Sequence, residues 1–445
     1  VLSAVRRPGP PEYPTFAEQR EDYLRSKDKS TLHRPWCLNA DDTREHVREM
    51  LETVTAAVAR YRPLGYCCGD ELSVTDHTTP FDYDFSPGCL EQFRLWLQQQ
   101  YPSLAALNAQ WGTSFDSWEQ VMPMTAEEVA ERDNYAPWAD HRTFMEVTYA
   151  EFFRWMHDTL DSYDPGGRIG ISGSQAATAY GGYDWWRLTQ ALDFAQAYDH
   201  QTTGEMHRSF GSMLAAPWWG YGSTDPTLGH QLWRRLLNGN TGAMFYGPFL
   251  NPDYTYSQTA LEGTRHLEEM QSGLARLLGE SDRVADVYMH YSHPSIHGSF
   301  ITGGDSLFAA NRAGWVKAIE DLGLQMQFLA YAQLEQGRLT EIMPRAFILP
   351  YSVALSDAEV AELQRYIEAG GVLIADARCG LMDAHCSPRS VGALDGLFGV
   401  ERTVVDPRAR RIEAEAEFST ALGQCDPRDI TLEELSGDTM LRATA

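Results

Sequence analysis

The sequence predicts an α/β protein made of two parallel β/α arrays in succession: a partial (β/α) barrel, then a flavodoxin-like sheet. Three observations carry this. Short apolar runs of strand length alternate with helix-length amphipathic segments along most of the chain. One such run, Gly65-Tyr66-Cys67-Cys68-Gly69-Asp70, delivers an acid, Glu71, at its end, ahead of a long loop and a helix. That arrangement suits the catalytic rim of a barrel. After Glu280-Ser281-Asp282 a second set of strands and helices begins, which marks a domain boundary.

Residues 1–43 are rich in Pro and charge and show no periodicity, so they read as loop with short helical pieces. From Thr43 to Tyr61 the apolar residues Val47, Met50, Leu51, Val54, Ala57 and Val58 recur at helical steps. The Glu71 strand follows. Helices are expected near 89–101, 103–110, 125–131 and 140–163, the last stopped by Asp164-Pro165-Gly166-Gly167. The next strands are Arg168–Ser172, Phe194–Tyr198, Ser212–Ala216 and Ala243–Tyr246. With the Glu71 strand these make five, against the eight of a closed barrel, so a five-stranded open sheet is the alternative.

An amphipathic helix, Gln258–Leu278, leads to the boundary. Beyond it come strand Val284–Tyr291, helix Ser306–Leu322, and strands Leu324–Leu329 and Ala346–Pro350. Helix Asp357–Ala369 opens behind Ser356 as N-cap, and strand Val372–Ala377 follows Gly370-Gly371. The expected domains are residues 1–280, 281–400 and 401–445, the last the start of a small β region.

With 445 residues and 43% hydrophobic content the chain has ample material for sizeable cores. A net charge of −26 argues against nucleic acid or an anionic membrane surface as partner. No apolar run reaches the ~18 residues of a membrane-spanning helix. Lysine occurs only at Lys27, Lys29 and Lys317, so arginine carries the positive charge. A GC-rich genome explains this composition better than adaptation to high salt. The seven scattered cysteines make a poor disulfide framework.

Downstream of Glu71 stand Phe93-Arg94-Leu95-Trp96-Leu97, then Leu107-Asn108-Ala109-Gln110-Trp111-Gly112-Thr113-Ser114-Phe115 and Trp118. Together with Glu71 they resemble the glycoside hydrolase family 42 β-galactosidases, where the acid/base glutamate precedes an F-R-x-W-L helix and an L-N-x-x-W-G-T segment. The resemblance implies that Glu71 is the proton donor and ends the fourth strand of a (β/α)8 TIM barrel, so that the chain supplies strands 4–8. Strands one to three would then lie roughly 150 residues upstream. Phe347-Ile348-Leu349-Pro350, Tyr366–Ile374 and Gly396-Leu397-Phe398-Gly399-Val400 resemble the family's trimerisation domain, which is related to class I glutamine amidotransferases. That implies a homotrimer. At the elbow-like position Tyr351-Ser352-Val353-Ala354 there is no Cys, so the domain is expected to be structural.

The implied reaction is retaining hydrolysis of a β-galactoside-like residue in an oligo- or polysaccharide, without cofactor, using two carboxyl groups. In the family the nucleophile is a glutamate ending strand seven. Here the matching stretch, Met213-Leu214-Ala215-Ala216-Pro217-Trp218-Trp219-Gly220, contains no acid, and alanine cannot form a glycosyl-enzyme. Glu205 is the substitute, with Asp199 and Asp225 as alternatives. The family has Asn where Asp70 stands; an ionised Asp accepts a hydrogen bond from a sugar hydroxyl but cannot donate one.

Asp70, Asp199, Trp185, Trp218 and Trp219 are the candidate substrate contacts, the indoles because flat rings suit the apolar faces of sugars. Gln175, His200 and His207 are further hydroxyl partners, and Trp186, Tyr221, Tyr246 and Phe249 belong to the same aromatic concentration at strand ends. Trp pairs also serve as ordinary core. Many family members carry a four-cysteine zinc site after the acid/base glutamate. Only Cys89 falls near that pattern here, so no metal is expected. The rival reading is a non-catalytic saccharide-binding or assembly protein on a degenerate barrel, and Ala216 is the feature that favours it. Localisation, cytoplasmic or secreted, is open, since the chain starts Val1-Leu2-Ser3 as though its N-terminus were missing.

Overall fold

The computed structural model describes residues 14–400 apart from residues 35, 77–79, 199–201, 212, 216–217, 220–226, 238–239, 241, 246–249, 280, 282–283 and 377. The chain divides into two compact units, Val1–Leu90 with Met145–Arg283 and Glu91–Phe144 with Val284–Ala445. Residues 401–445, expected to begin a β region, lie outside the described residues. Among the described residues no helix is long and apolar enough to cross a membrane.

The first unit is organised by parallel pairing. Strands β1 (Tyr66–Asp70), β2 (Ile169–Ser174), β3 (Phe194–Ala197) and β4 (Leu214–Ala215) join in that order, every neighbour parallel. Two residues past β4 the chain re-enters sheet as β5 (Trp218–Trp219), which pairs in parallel with β6 (Met244–Phe245). All six residues of β2 are buried, as expected where helices cover both faces of a parallel sheet. Of the expected strand Ser212–Ala216, the described residues Leu214–Ala215 pair back to β3; Trp218–Trp219, past its expected end, pair forward to β6.

Helix Ala136–Tyr163 connects β1 with β2. Its end is fixed by Asp161, whose carboxylate accepts from Gly166 N at 2.7 Å, and by Asp164, which accepts from Tyr66 Oη on β1 at 2.5 Å. On helix Asp41–Val58, Val47 and Thr55 are buried, whereas Met50 and Val54 of the expected apolar stripe are exposed.

In the second unit β7 (Val287–Tyr291), β8 (Met326–Ala330), β9 (Ala346–Leu349) and β10 (Leu373–Ala375) form one parallel sheet in the order β10-β9-β7-β8. Leu329, Phe347, Leu349, Leu363, Tyr366 and Leu394 centre its core. Ser356 caps helix Asp357–Glu368 as expected, in a reciprocal box with Glu359 that contributes about 1 kcal/mol. The chain leaves β9 through Tyr351 at φ 50°, and the next residue, Ser352, places Oγ 2.9 Å from His290 Nδ1. The other ring nitrogen of His290 lies 2.8 Å from Glu359 Oε1, and all three side chains are buried.

Residues 91–144, which the sequence assigns to the barrel domain, belong with this second unit. Polar contacts between side chains far apart in sequence account for it. Gln110 Nε2 donates to Asp383 Oδ2 at 2.6 Å and to Ser387 Oγ at 2.9 Å, and Ser387 Oγ donates to Asn134 Oδ1 at 3.0 Å. Asp140, buried, accepts from Tyr101 Oη at 2.5 Å and Trp111 Nε1 at 2.7 Å, and its other oxygen lies 2.6 Å from His385 Nδ1. Burial pushes the Tyr101 hydroxyl far up, and the Asp140 charge adds to it, so this phenol stays neutral.

Burial alone would lower the pKa of His385, but the attraction of Asp140, with smaller help from Asp383 and Glu335, outweighs it and raises the pKa to about 9. A pKa raised by folding gives stability that is complete below the unfolded value, ~6.5, and is lost as pH rises through about 9. His385 is about a third exposed, so solvent screening discounts the effect. We expect His385→Gln to lower the thermal midpoint by roughly 2–4 °C at pH 6 and to leave it almost unchanged at pH 10. Thermal unfolding across that pH range checks this, and an equal loss at both ends would exclude the ion pair as its cause.

Candidate active site

Glu71 follows directly on β1, half-buried and at φ 50°. Its backbone N donates to Ser172 O on β2 at 3.0 Å, which anchors it to the sheet. Tyr198, directly after β3, donates its hydroxyl to Glu71 Oε1 at 2.9 Å. The neighbouring Asp70 is exposed and ends β1. Beneath them, Tyr183 donates its hydroxyl to Leu72 O and packs edge-on against Tyr149. Burial pushes the Tyr183 hydroxyl well up, and the Glu71 and Asp70 charges add to the shift. Both acids therefore act on the same buried phenol.

Glu205 lies in the first turn of helix Thr203–Phe210, which follows β3, and is buried. Its Oε1 is 3.5 Å from Arg234 Nη2 on helix Thr227–Leu237. Glu71 thus directly follows β1, Glu205 lies in the helix after β3, and their side chains meet different groups, a phenol and a guanidinium. Gln175 donates Nε2 to Gly173 O at 2.9 Å.

The aromatic expectations divide. Trp185 is 0% exposed and packs against Tyr183 and His207, with the His207 ring centroid 4.0 Å away. A ring without an exposed face cannot carry a sugar, so Trp185 is core; this corrects the platform expected from sequence. His207 is buried beside it, and burial lowers its pKa to about 3, leaving the imidazole neutral at physiological pH. Trp218 and Trp219 form β5 through their backbones. Asp199, His200, Ala216, Tyr221, Asp225, Tyr246 and Phe249 lie outside the described residues.

Two features went unnoticed in the sequence. One is Tyr198, a phenol at the end of an expected strand. The other is a buried cluster of Cys37, Asp84 and Cys89, whose ligand-type atoms all lie within 4.8 Å of one another. The set does not fit the closed four-ligand geometry of structural zinc. It offers three donors, and Asp84 already accepts from Arg34 N at 3.0 Å, Ser86 N at 2.8 Å and Ser86 Oγ at 2.9 Å. The buried guanidinium of Arg34 also interacts with Asp84 and both thiols, placing a positive charge where a metal ion would add another.

A family profile described as β-galactosidase, that of glycoside hydrolase family 42, matches residues 12–239, just over half of the chain. The chain belongs to glycoside hydrolase family 42. Among solved structures it is similar to a cold-adapted β-galactosidase from Rahnella sp. R3, at 15% identity and TM-score 0.64, over 82% of this chain and 59% of that one. A β-galactosidase from the Antarctic haloarchaeon Halorubrum lacusprofundi matches at 17% identity and TM-score 0.62, over 84% and 63%. An exo-carrageenase of the same family from Bacteroides ovatus matches at 15% identity and TM-score 0.59, over 84% and 58%. At these identities the likeness shows the fold, an α/β fold of the TIM-barrel kind in its first part. The family 42 chain spans about three fifths of the length of these three proteins. No curated protein matches it.

Removing a buried indole leaves a cavity, so Trp185→Ala should cost ~3–5 kcal/mol of stability. Denaturant unfolding measures it. A loss below ~0.5 kcal/mol would return Trp185 to the surface.

Proposed function

We propose that this chain is the part of a family 42 glycoside hydrolase that carries its catalytic carboxylates, acting on β-galactoside-like saccharides with retention of configuration. The observation that carries the reading is Glu71, directly after a parallel strand and hydrogen-bonded by Tyr198, inside the segment that matches the family. Glu71 protonates the glycosidic oxygen as the C1–O bond breaks, while Glu205 attacks C1 and forms a glycosyl ester. Glu71, now a carboxylate, takes a proton from water, and the resulting hydroxide attacks C1 and releases Glu205. Asp70 beside Glu71 accepts a hydrogen bond from a sugar hydroxyl, and Trp218, Trp219 and Asp199 contribute further contacts. Retention requires the two carboxyl groups ~5–5.5 Å apart in the working site, whereas ~6.5–9.5 Å would correspond to inversion.

The second unit is read as a flavodoxin-like domain with a structural, trimer-forming role. Its parallel strand order, 2-1-3-4 when counted from β7, supports this. The second functional reading, a saccharide-binding protein on a degenerate barrel, is favoured by Ala216 at the position where the family has its nucleophile.

Glu71→Gln keeps the shape of the side chain and removes its titratable proton. We expect kcat/KM on a phenyl β-galactoside to fall ~10²–10⁴-fold, and Glu205→Gln to abolish turnover of all aryl galactosides. Proton NMR of the first product anomer reads retention or inversion. Galactose binding by calorimetry, with no turnover by the parent protein, would establish the second reading instead.

A further inference from the structure

A β-bulge places one extra residue on one strand of a pair and re-aims the side chains beside it. Two bulges lie side by side at the ends of β1 and β2. Between these strands the register passes from Cys67 opposite Gly170 to Asp70 opposite Ser172, so the extra residue is on β1, where Gly69 has φ 149°. Between β2 and β3 it passes from Ser172 opposite Gln196 to Ser174 opposite Ala197. The extra residue there is Gly173, at φ 58°.

Successive residues of a regular strand point to opposite faces. Asp70 and Glu71 depart from that, because Glu71 has left-handed backbone, and both converge on Gly173. A Cβ on Gly173 would strike Asp70 Oδ1 and would stand 2.9 Å from Glu71 Cγ and 3.1 Å from Glu71 N. The same bulge sets where β3 ends relative to β2. Tyr198 N donates to Ser174 O at 3.1 Å, and from that anchor the Tyr198 hydroxyl reaches Glu71 Oε1.

We infer that Gly173 is a positioning residue for Glu71: its missing side chain is the seat of the Asp70–Glu71 pair, and its bulge brings Tyr198 to Glu71. The inference rests on the reading of Glu71 as proton donor. Any side chain at position 173 meets two obstacles, a left-handed backbone and occupied space. Asn tolerates the first better than Ala does, so Gly173→Asn probes mainly the space and Gly173→Ala both.

The test uses the full chain and two substrates. Proton donation matters for a poor leaving group and hardly at all for a good one. For both variants kcat/KM should fall ~100-fold on phenyl β-galactoside and under ~10-fold on 2,4-dinitrophenyl β-galactoside, the bias of a displaced general acid. A crystal structure of either variant should show the Glu71–Tyr198 contact broken. Equal losses on both substrates, or a variant structure that keeps the contact, would overturn the inference. Glu71→Gln assayed alongside separates the two levels. If it shows the leaving-group bias and the Gly173 variants do not, the inference falls and the reading of Glu71 stands. If it changes neither rate, the reading falls, and the variant crystal structure alone decides the seat. Should the single variants fail to fold, Asp70→Gly added to Gly173→Ala removes the tightest of these contacts, leaving those with Glu71 and the left-handed backbone, and should recover folded protein in part; no recovery at all would also overturn the inference.

Discussion

The parallel hydrogen-bond ladder that joins β1 to β2 and β2 to β3 is the constraint on which the site depends. Strands of a parallel sheet are separated in sequence by whole crossovers, here including the helix Ala136–Tyr163. Their C-terminal ends nevertheless finish side by side. Glu71 and Tyr198 are 127 residues apart in the chain and meet at 2.9 Å because each directly follows a strand of one sheet. The burial of every residue of β2 fixes that strand between its neighbours, so the ends of β1 and β3 are held from one central element.

The second unit relies on a different device, polar side chains that converge from distant segments onto one buried acid. Asp140 gathers Tyr101, Trp111 and His385, and so fixes residues 91–144 against the loop that follows β10. Such a network specifies geometry because each buried polar atom needs its partner; a displaced segment would leave several unsatisfied at once. That is why a stretch adjacent in sequence to the β1 loop belongs structurally with strands that come about two hundred residues later.

Much of the fold was legible in the sequence, because it is written in local patterns. The apolar run 65–70 ending in an acid, the Pro-Gly-Gly stop after residue 163 and the Ser356 cap each reappear at the expected place. What escaped depends on pairing between distant segments. The bulges that converge Asp70 and Glu71 are properties of strand register, which no single strand encodes. Tyr198 looked like the last residue of a strand, and its partner could not be read from its own neighbourhood. Trp185 misled because a Trp pair at a helix start reads equally well as a platform or as packing. Cys37, Asp84 and Cys89 are brought together by folding, with no shared spacing motif to announce them.

His290, hydrogen-bonded to Ser352 and close to Glu359, brings the turn after β9, the middle of the sheet and the start of a helix into one buried assembly. A hydrophobic contact in its place would tolerate sliding, since one methyl group substitutes for another. The hydrogen bond between His290 and Ser352 does not. Buried polar groups of this kind add little net stability, yet they penalise every arrangement in which a partner is missed. The contact therefore acts as a proofreading element for the topology of the second unit: a chain that paired β7 and β9 one residue out of step would bury the imidazole of His290 without its hydroxyl partner, Ser352.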